Sequence, residues 1–361
     1  MRSTGYHGGM DIHLPSAPSH VSDVEPAAPF DAGQRLTYPG YPPEAIAFLG
    51  ISSLHGIGFQ TMVRLGGQDG IRAILKAADI RVFERSIADA GGRIAATDLP
   101  ADWNALRRLI WQQGIDATSH LADAGIQFRF YADPDFPPAL ADLPQKYRPL
   151  WLFYRGNIEL LNRPCVTVVG TRDPSDAGEF LARYAVSCAR EFDTPVVSGL
   201  AHGIDRIAHE WCLSIGLPTV SVMGTGMLNT YPVRHTGLGN KIVETGGLLL
   251  SEYLPDQGPS AQNFVWRNRL QAALGRVIIP AEWARKSGTA HTVRFARKFK
   301  RPVFSLSPTG AGRAPDAGEG DTHFELPNDH ARFMEAMGAA INPNPDSPPA
   351  AAQMDLFGSS R

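Results

Sequence analysis

Residues 166–205 read VTVVGTRDPSDAGEFLARYAVSCAREFDTPVVSGLAHGID, and this stretch decides the fold. Residues 166–169 are a short β-branched run, the pattern of a strand buried on both faces. The run stops at Gly170, and Gly170-Thr171-Arg172 leads straight into a helix start. Asp173 is the predicted N-cap, Pro174 fits the first helical position, and Asp176 completes a capping-box-like spacing. A second strand, 195–198, ends in Gly199-Leu200-Ala201-His202-Gly203 before a helix near Asp205. Two strand–glycine–helix units in succession set backbone N–H groups and helix N-termini along one edge of a parallel sheet. Such edges bind anions, usually phosphates. The Arg172 guanidinium adds a charge-assisted fork at the same place.

The remaining chain is compatible with that core. A length of 361 residues leaves room for two or three domains, and 43% hydrophobic with 19% charged residues is a globular composition. No apolar run approaches the roughly 20 residues of a membrane span, and the N-terminus lacks the apolar core of a signal peptide. Cys165, Cys188 and Cys212 have no metal-ligand spacing and read as reduced, buried thiols of a cytoplasmic protein. The net charge of −2 does not advertise nucleic acid, so binding of that kind needs a local patch.

Outward from the core, residues 1–43 are proline-rich and aperiodic, and read as a disordered leader. Residues 44–125 have helical periodicity and contain Leu54-His55-Gly56-Ile57-Gly58 between two short helices. That glycine hairpin is either a tight corner between helices or a presenter of N–H groups to a DNA phosphate. Residues 126–307 begin with two lead-in strands, 125–131 and 150–154. Six short strands then alternate with helices: 166–169, 195–198, 219–223, 248–252, 277–281 and 303–306. The helices start near Pro174, Asp205, Arg234, Val265 and Thr289. The fold class is therefore α/β: an extended Rossmann-like, doubly wound parallel sheet preceded by a small helical domain. Residues 308–352 read as a proline-rich linker with one short helix, and 353–361 as a tail.

Every strand from the first to the fifth has glycine, hydroxyl or charged residues at or beyond its C-terminal end. After Gly170, Thr171 and Arg172 come Ser198, Gly199, His202 and Gly203, then Gly224, Thr225 and Gly226. Asn263, Arg267, Asn268 and Arg269 follow, and Lys286, Ser287, Gly288 and Thr289 complete the series. One glycine turn is ordinary, but five on one edge point to a binding site. Between 263 and 301 ten Arg or Lys residues accompany one acid, Glu282, which favours a polyanion groove. Catalytic signals are sparse. No Walker lysine or dinucleotide fingerprint is present, and Asp205 with His209, one helical turn apart, reads as a helix cap and its satisfied neighbour. The expectation is a non-enzymatic protein with no cofactor and no metal.

In order, the motifs Gly170-Thr171-Arg172, Ser198 to Asp205, Gly224 to Pro232, Gly247 to Glu252, Phe264 to Arg269 and Ser287-Gly288-Thr289 resemble the DprA/Smf family of DNA-processing proteins. The similarity covers roughly residues 45 to 307, including Asp133-Pro134-Asp135-Phe136-Pro137 and Tyr154-Arg155-Gly156. The resemblance implies an extended Rossmann domain that binds single-stranded DNA without cutting it. It also implies a homodimer that loads the RecA recombinase during natural transformation. Arg172 with the Gly170 turn would then hold a backbone phosphate, and Arg267, Arg269 and the 198–203 loop would line the same groove. His202 stands where the family commonly has Arg or Lys, so the groove lacks a charge at neutral pH and gains one as pH falls through about 6.5. Val265 replaces a proline of the fifth motif, and the C-terminal winged helix of many members is not evident. A defence paralogue, or a nucleotide-handling protein like the LOG enzymes, is the alternative, although Ser287-Gly288-Thr289 lacks the paired glycines of the latter. In the tail, Gln353, Asp355, Leu356 and Phe357 resemble the peptide by which bacterial proteins dock on the DNA polymerase sliding clamp.

Overall fold

A computed structural model describes residues 41–95, 99–100, 102–312, 316–318 and 320–343. The expected clamp peptide and nearly all of the leader lie outside these residues. The chain divides into two compact units, one holding residues up to 124 with 128–136 and 141–151, the other holding 125–127, 137–140 and 152 onward.

The first unit carries α1 (Pro43–Ser52), α2 (Phe59–Leu65), α3 (Gly67–Leu75), α4 (Ile80–Asp89) and α5 (Trp103–Asp123). The Asp79 and Asp102 carboxylates accept from the first free amides of α4 and α5, the standard N-cap arrangement. Helices α1 and α5 approach backbone to backbone through two glycines. A Cβ on Gly50 would lie 1.8 Å from the Ile110 carbonyl oxygen, and one on Gly114 would lie 2.1 Å from that of Ile46. Phe48 packs against Phe128, Phe130 and Trp151, with centroids 5.3, 5.9 and 4.8 Å away. Gly56 of the glycine hairpin takes φ +88°, and its carbonyl accepts from the Arg93 amide at 3.2 Å. Leu54 and Ile57 are buried, so the hairpin is a packed corner between α1 and α2.

Beyond β1 (Gln127–Phe130), α6 (Pro138–Ala141) and β2 (Trp151–Gly156), the chain alternates regularly. It runs β3 (Cys165–Val169), α7 (Asp176–Glu191), β4 (Val196–Ser198), α8 (Ile204–Ser214), β5 (Thr219–Val222) and α9 (Thr236–Glu244). It continues with β6 (Leu248–Ser251), α10 (Ala261–Leu274), β7 (Gly275–Pro280), α11 (Thr289–Lys298), β8 (Phe304–Pro308), β9 (Thr322–Leu326) and α12 (His330–Ile341). The main sheet has seven strands in the order β1-β2-β6-β5-β4-β3-β7. Strands β6, β5, β4, β3 and β7 are parallel, with Val166 opposite Val196, Val197 opposite Val220, and Thr167 opposite Ile278. Strand β2 pairs antiparallel with β6.

The alternation of side chains explains why both faces are covered. Val166 and Val168 of β3, with Val277 and Ile279 of β7, face a cluster built from α7, α8 and α12. Val169 and Ile278 face the other way, onto Ala272 of α10 and Val293 and Ala296 of α11. Thr167 shares that second face, and its hydroxyl donates to the Gln271 carbonyl at 2.8 Å. This is the doubly wound sheet that the sequence predicts.

Three expectations need correction. The sixth predicted strand, around 303–306, does not join the main sheet beyond a single bridge between Ile278 and Val303. It forms β8 and pairs with β9 in a separate two-stranded parallel sheet. The expected linker carries β9 as well as the short helix, α12, and Phe324, Phe333, Met337 and Ile341 are buried in the cluster shared with α7 and α8. The prolines of this region hid four well-spaced apolar anchors. Finally, α7 is capped by Ser175, whose hydroxyl accepts from the Gly178 amide at 3.2 Å, and not by Asp173.

Cys165, Cys188 and Cys212 are buried free thiols, and burial pushes each up to about 12. Among the described residues no helix is long and apolar enough to cross a membrane.

Candidate nucleic-acid interface

The end of β3 with the turn after it, the start of α8, one face of α10 and the first turn of α11 border a cleft of about 500 Å³. Its rim begins with the Gly170 turn, which is tightly held. The Thr171 amide donates to the Glu282 carbonyl at 2.7 Å, and the Ile204 amide donates to the Thr171 carbonyl at 3.1 Å. Gly203 must be glycine here, since it takes φ +71° and a Cβ would lie 2.3 Å from the Thr171 oxygen.

The expected phosphate position at the start of α7 is already filled by protein. The Glu282 carboxylate accepts from the Ser175 amide at 2.9 Å and from its hydroxyl at 3.1 Å. A carboxylate at a helix N-terminus satisfies the same free amides and partial positive charge that a phosphate would. The α7 terminus is thereby self-neutralised and closed to an incoming anion.

Two cations remain open. Arg172 and Lys286 are exposed, line the cleft, and make no ion pair among the described residues. The Arg172 guanidinium stands 6.0 Å from the centroid of Phe264, whose ring is 5.5 Å from that of Tyr231. Tyr231 is 45% exposed, high for a large aromatic side chain. His202 and Arg234 border the same small hollow beside Tyr231, and the His202 ring meets His235 edge-on at 4.9 Å. Cations beside exposed aromatic faces are what a single strand needs: phosphate contacts and stacking platforms.

Arg267 and Arg269 do not line this groove as open cations. Arg269 is 1% exposed, forms a two-pronged pair with the buried Glu252 carboxylate, and lies 4.1 Å over the Trp266 ring. Arg267 is also buried, and it donates to the carbonyls of Gly199 and Val222 and to Asn268 Oδ1. Its guanidinium, the Asp205 carboxylate and the Gln271 amide converge on Gly199, where a Cβ would lie 2.8, 2.5 and 2.7 Å from them. Burial raises the Asp205 carboxyl above the ordinary range, opposed by Arg267, and burial lowers Arg267. Asp205 therefore does not cap α8, whose N-cap is Gly203. His209 is buried with Nδ1 at 2.8 Å from Thr219 Oγ1, and burial lowers its pKa to about 3.

The other predicted residues frame the cleft. The Ser198 hydroxyl donates to the Val168 carbonyl at 2.7 Å. Asn268 Nδ2 donates to the Gly288 carbonyl at 3.0 Å, and the Thr289 hydroxyl donates to that of Gly170 at 2.8 Å. Asn263 receives the Ser260 cap at its amide, 3.1 Å, and accepts from the Tyr253 hydroxyl at its carbonyl, 2.8 Å. Gly224 makes room for the Phe264 ring, Thr225 is buried, and the Gly226 amide donates to the Gln257 carbonyl at 2.8 Å. These residues shape the cleft more than they present donors to it. In contrast, the Gln271 side-chain nitrogen and the Ser287 hydroxyl border the cleft, buried and without a hydrogen-bond partner among the described residues. Gln271, Tyr231, Arg234 and Phe264 were absent from the residues picked out as binding. The aromatic ones were visible in the sequence, inside the motifs that end in Pro232 and Arg269.

Residues 127–324 match the family described as DNA recombination-mediator protein A. This chain belongs to that family. Protein Smf of Synechocystis sp. is 38% identical over 184 residues, covering 50% of this chain and 46% of the relative. DNA processing protein DprA of Streptococcus pneumoniae is 39% identical over 166 residues, 46% of this chain and 58% of that protein. The chain thus spans about half the length of the curated relatives it matches. The crystal structure of the pneumococcal DprA aligns over 81% of this chain and 97% of its own, with 27% identity and a TM-score of 0.58. DNA processing protein A from Helicobacter pylori, whose structure concerns a single-stranded-DNA binding mode, aligns over 60% of this chain and 98% of its own, with 28% identity and a TM-score of 0.50.

Proposed function

We propose that this family member binds single-stranded DNA along the strand-end edge and passes it to RecA during recombination of incoming strands, acting as a homodimer. The observation that carries the reading is the pairing of open cations, Arg172 and Lys286, with the partly exposed Tyr231–Phe264 platform at one cleft. Phosphate contacts give affinity and stacking gives tolerance of sequence, as the handling of arbitrary strands requires. The Helicobacter relative that binds single strands supports the ligand class. We infer binding without cleavage, because Asp205 is engaged with Arg267 and His209 is buried and neutral, so neither is free for proton transfer.

A second reading, a mononucleotide ligand, is favoured by one observation, the unpartnered Gln271 amide and Ser287 hydroxyl in the cleft wall. Fluorescence anisotropy with a labelled dT strand and a duplex of equal length, over a salt series, separates the two. Preference for the single strand, with Arg172→Ala weakening it about tenfold and reducing the salt slope by about one, supports the strand reading. No strand binding at low salt, with thermal stabilisation by nucleotides, would replace it with the second. RecA hand-off then predicts faster RecA assembly on strands carrying the wild-type protein than on those offered Arg172→Ala.

A further inference from the structure

Beside the cleft lies a second hollow of about 440 Å³, whose border includes Trp283, Arg285, Ala290, Arg294, Arg297 and Asp316. The two hollows share one backbone. Ser287, Thr289 and His291 border the cleft, whereas Arg285 and Ala290 border the second hollow. Arg294 and Arg297 follow Ala290 at spacings of four and seven residues, so all three share one face of α11. A direct bond joins the sites: Arg294 donates to Nδ1 of His291 at 2.8 Å. Burial, followed by the Arg294 charge, lowers the His291 pKa, which keeps the imidazole a neutral acceptor for that bond.

The three arginines are unequally committed. Arg297 is held by the Asp321 carboxylate through bonds of 2.8 and 2.9 Å. Arg285 is 68% exposed and shares its charge with Asp316 at 3.6 Å. Arg294 is exposed and, among the described residues, has no carboxylate partner. Trp283 supplies the apolar wall. Its indole packs against the buried cluster of Val169, Ile278, Val293 and Ala296, which fixes the ring, and its N–H is buried without an acceptor among the described residues. A ring already immobilised by the core loses little entropy when a flat ligand stacks on it. A fixed indole beside an exposed guanidinium that no carboxylate neutralises suits an unstacked base with its phosphate.

We propose that the hollow between Trp283 and Arg294 is a second nucleotide subsite, taking a base and phosphate of the single strand as it leaves the cleft along α11. The inference rests on the strand reading above and gives that strand a direction, from Arg172 and Lys286 across the first turn of α11 toward Arg297. Stacking is indifferent to base identity, so the subsite adds length dependence and no sequence preference.

The test is anisotropy of the full chain with dT strands from about 4 to about 16 nucleotides, the span of single-strand site sizes. Trp283→Ala is expected to weaken the longer strands about tenfold and leave the shortest within twofold, while Trp283→Phe retains most of the affinity. Arg294→Gln should reduce the salt slope by about one for long strands only. Arg172→Ala should weaken every length. If Trp283→Ala and Arg294→Gln leave the longest strand within twofold while Arg172→Ala weakens it, the subsite is overturned and the strand reading stands. Equal loss at all lengths in a Trp283→Ala protein of unchanged melting temperature also overturns it, by placing Trp283 in the first cleft. If the wild type binds no strand, the strand reading fails and the subsite with it.

Discussion

Helix α10 and the rim beside it make opposite use of arginine. On the rim, Arg172 is exposed and unpaired among the described residues, and its charge reaches solvent. On α10, Arg267 and Arg269 are 4% and 1% exposed, and their donors are consumed by carbonyls and by Glu252. One group is able to bind a ligand and the other holds the cleft together. The difference follows from neighbours rather than from residue type. Arg269 has a carboxylate at fork distance and an indole beneath it, whereas the Gly170 turn projects Arg172 past the last strand residue.

The comparison breaks most visibly at Arg269. Arg269→Ala leaves Glu252 buried without its partner and should lower the unfolding free energy by about 3–5 kcal/mol in a urea titration. Replacing both, Arg269→Met with Glu252→Leu, should return most of that loss. A loss below about 1 kcal/mol for the single variant would mean that the pair is solvated and that α10 resembles the rim after all.

Two histidines carry the same contrast into pH dependence. His209 has its pKa lowered to about 3 by burial, so the unfolded chain binds a proton below about 6.5 that the folded chain refuses. Its contribution to stability is complete above about pH 6.5 and falls away as pH drops toward 3. Between pH 6.5 and 5 this amounts to about 2 kcal/mol. Urea titrations at both pH values should show that His209→Gln removes this part of the acid sensitivity. An unchanged difference between the two pH values would mean that the folded chain protonates His209. His202 is the smallest effect. It lies on the rim beside Arg172, Arg234 and His235, where a protonated imidazole would add one charge to the edge proposed to hold the strand. DNA affinity should rise about threefold as pH falls from about 8 to about 5.5, and His202→Ala should flatten that rise. Equal slopes in both proteins would assign the titration to another group.

Much of the fold was legible because its signals are local. β-branched runs ending in glycine located β3, β4 and β5, and the order of motifs led to the family. Legibility failed where a long-range partner decided the outcome. Glu282 lies more than a hundred residues from Ser175, yet it takes the N-terminus of α7 that sequence spacing reserved for a phosphate. Glu252 and Trp266 likewise turned Arg269 from a ligand contact into a core residue. The platform is hidden in the sequence for a different reason: Tyr231 and Phe264 sit in separate motifs, and their pairing across 33 positions exists only after folding.

The aromatic trio formed by Phe304, Phe324 and Phe333, with centroids 5.1, 5.1 and 6.0 Å apart, carries the packed domain past the end of the family match. The family match stops at 324, inside β9, and one ring of the trio lies beyond it on α12. Phe333, Met337 and Ile341 act as a keystone, buried in the cluster that α7 and α8 share with the sheet, with α12 packed on β7 and β9. A chain shortened to the boundary of family likeness would lose that keystone and present a raw apolar seam to water, inviting self-association. The portion matched by the family model is therefore smaller than the portion that folds together.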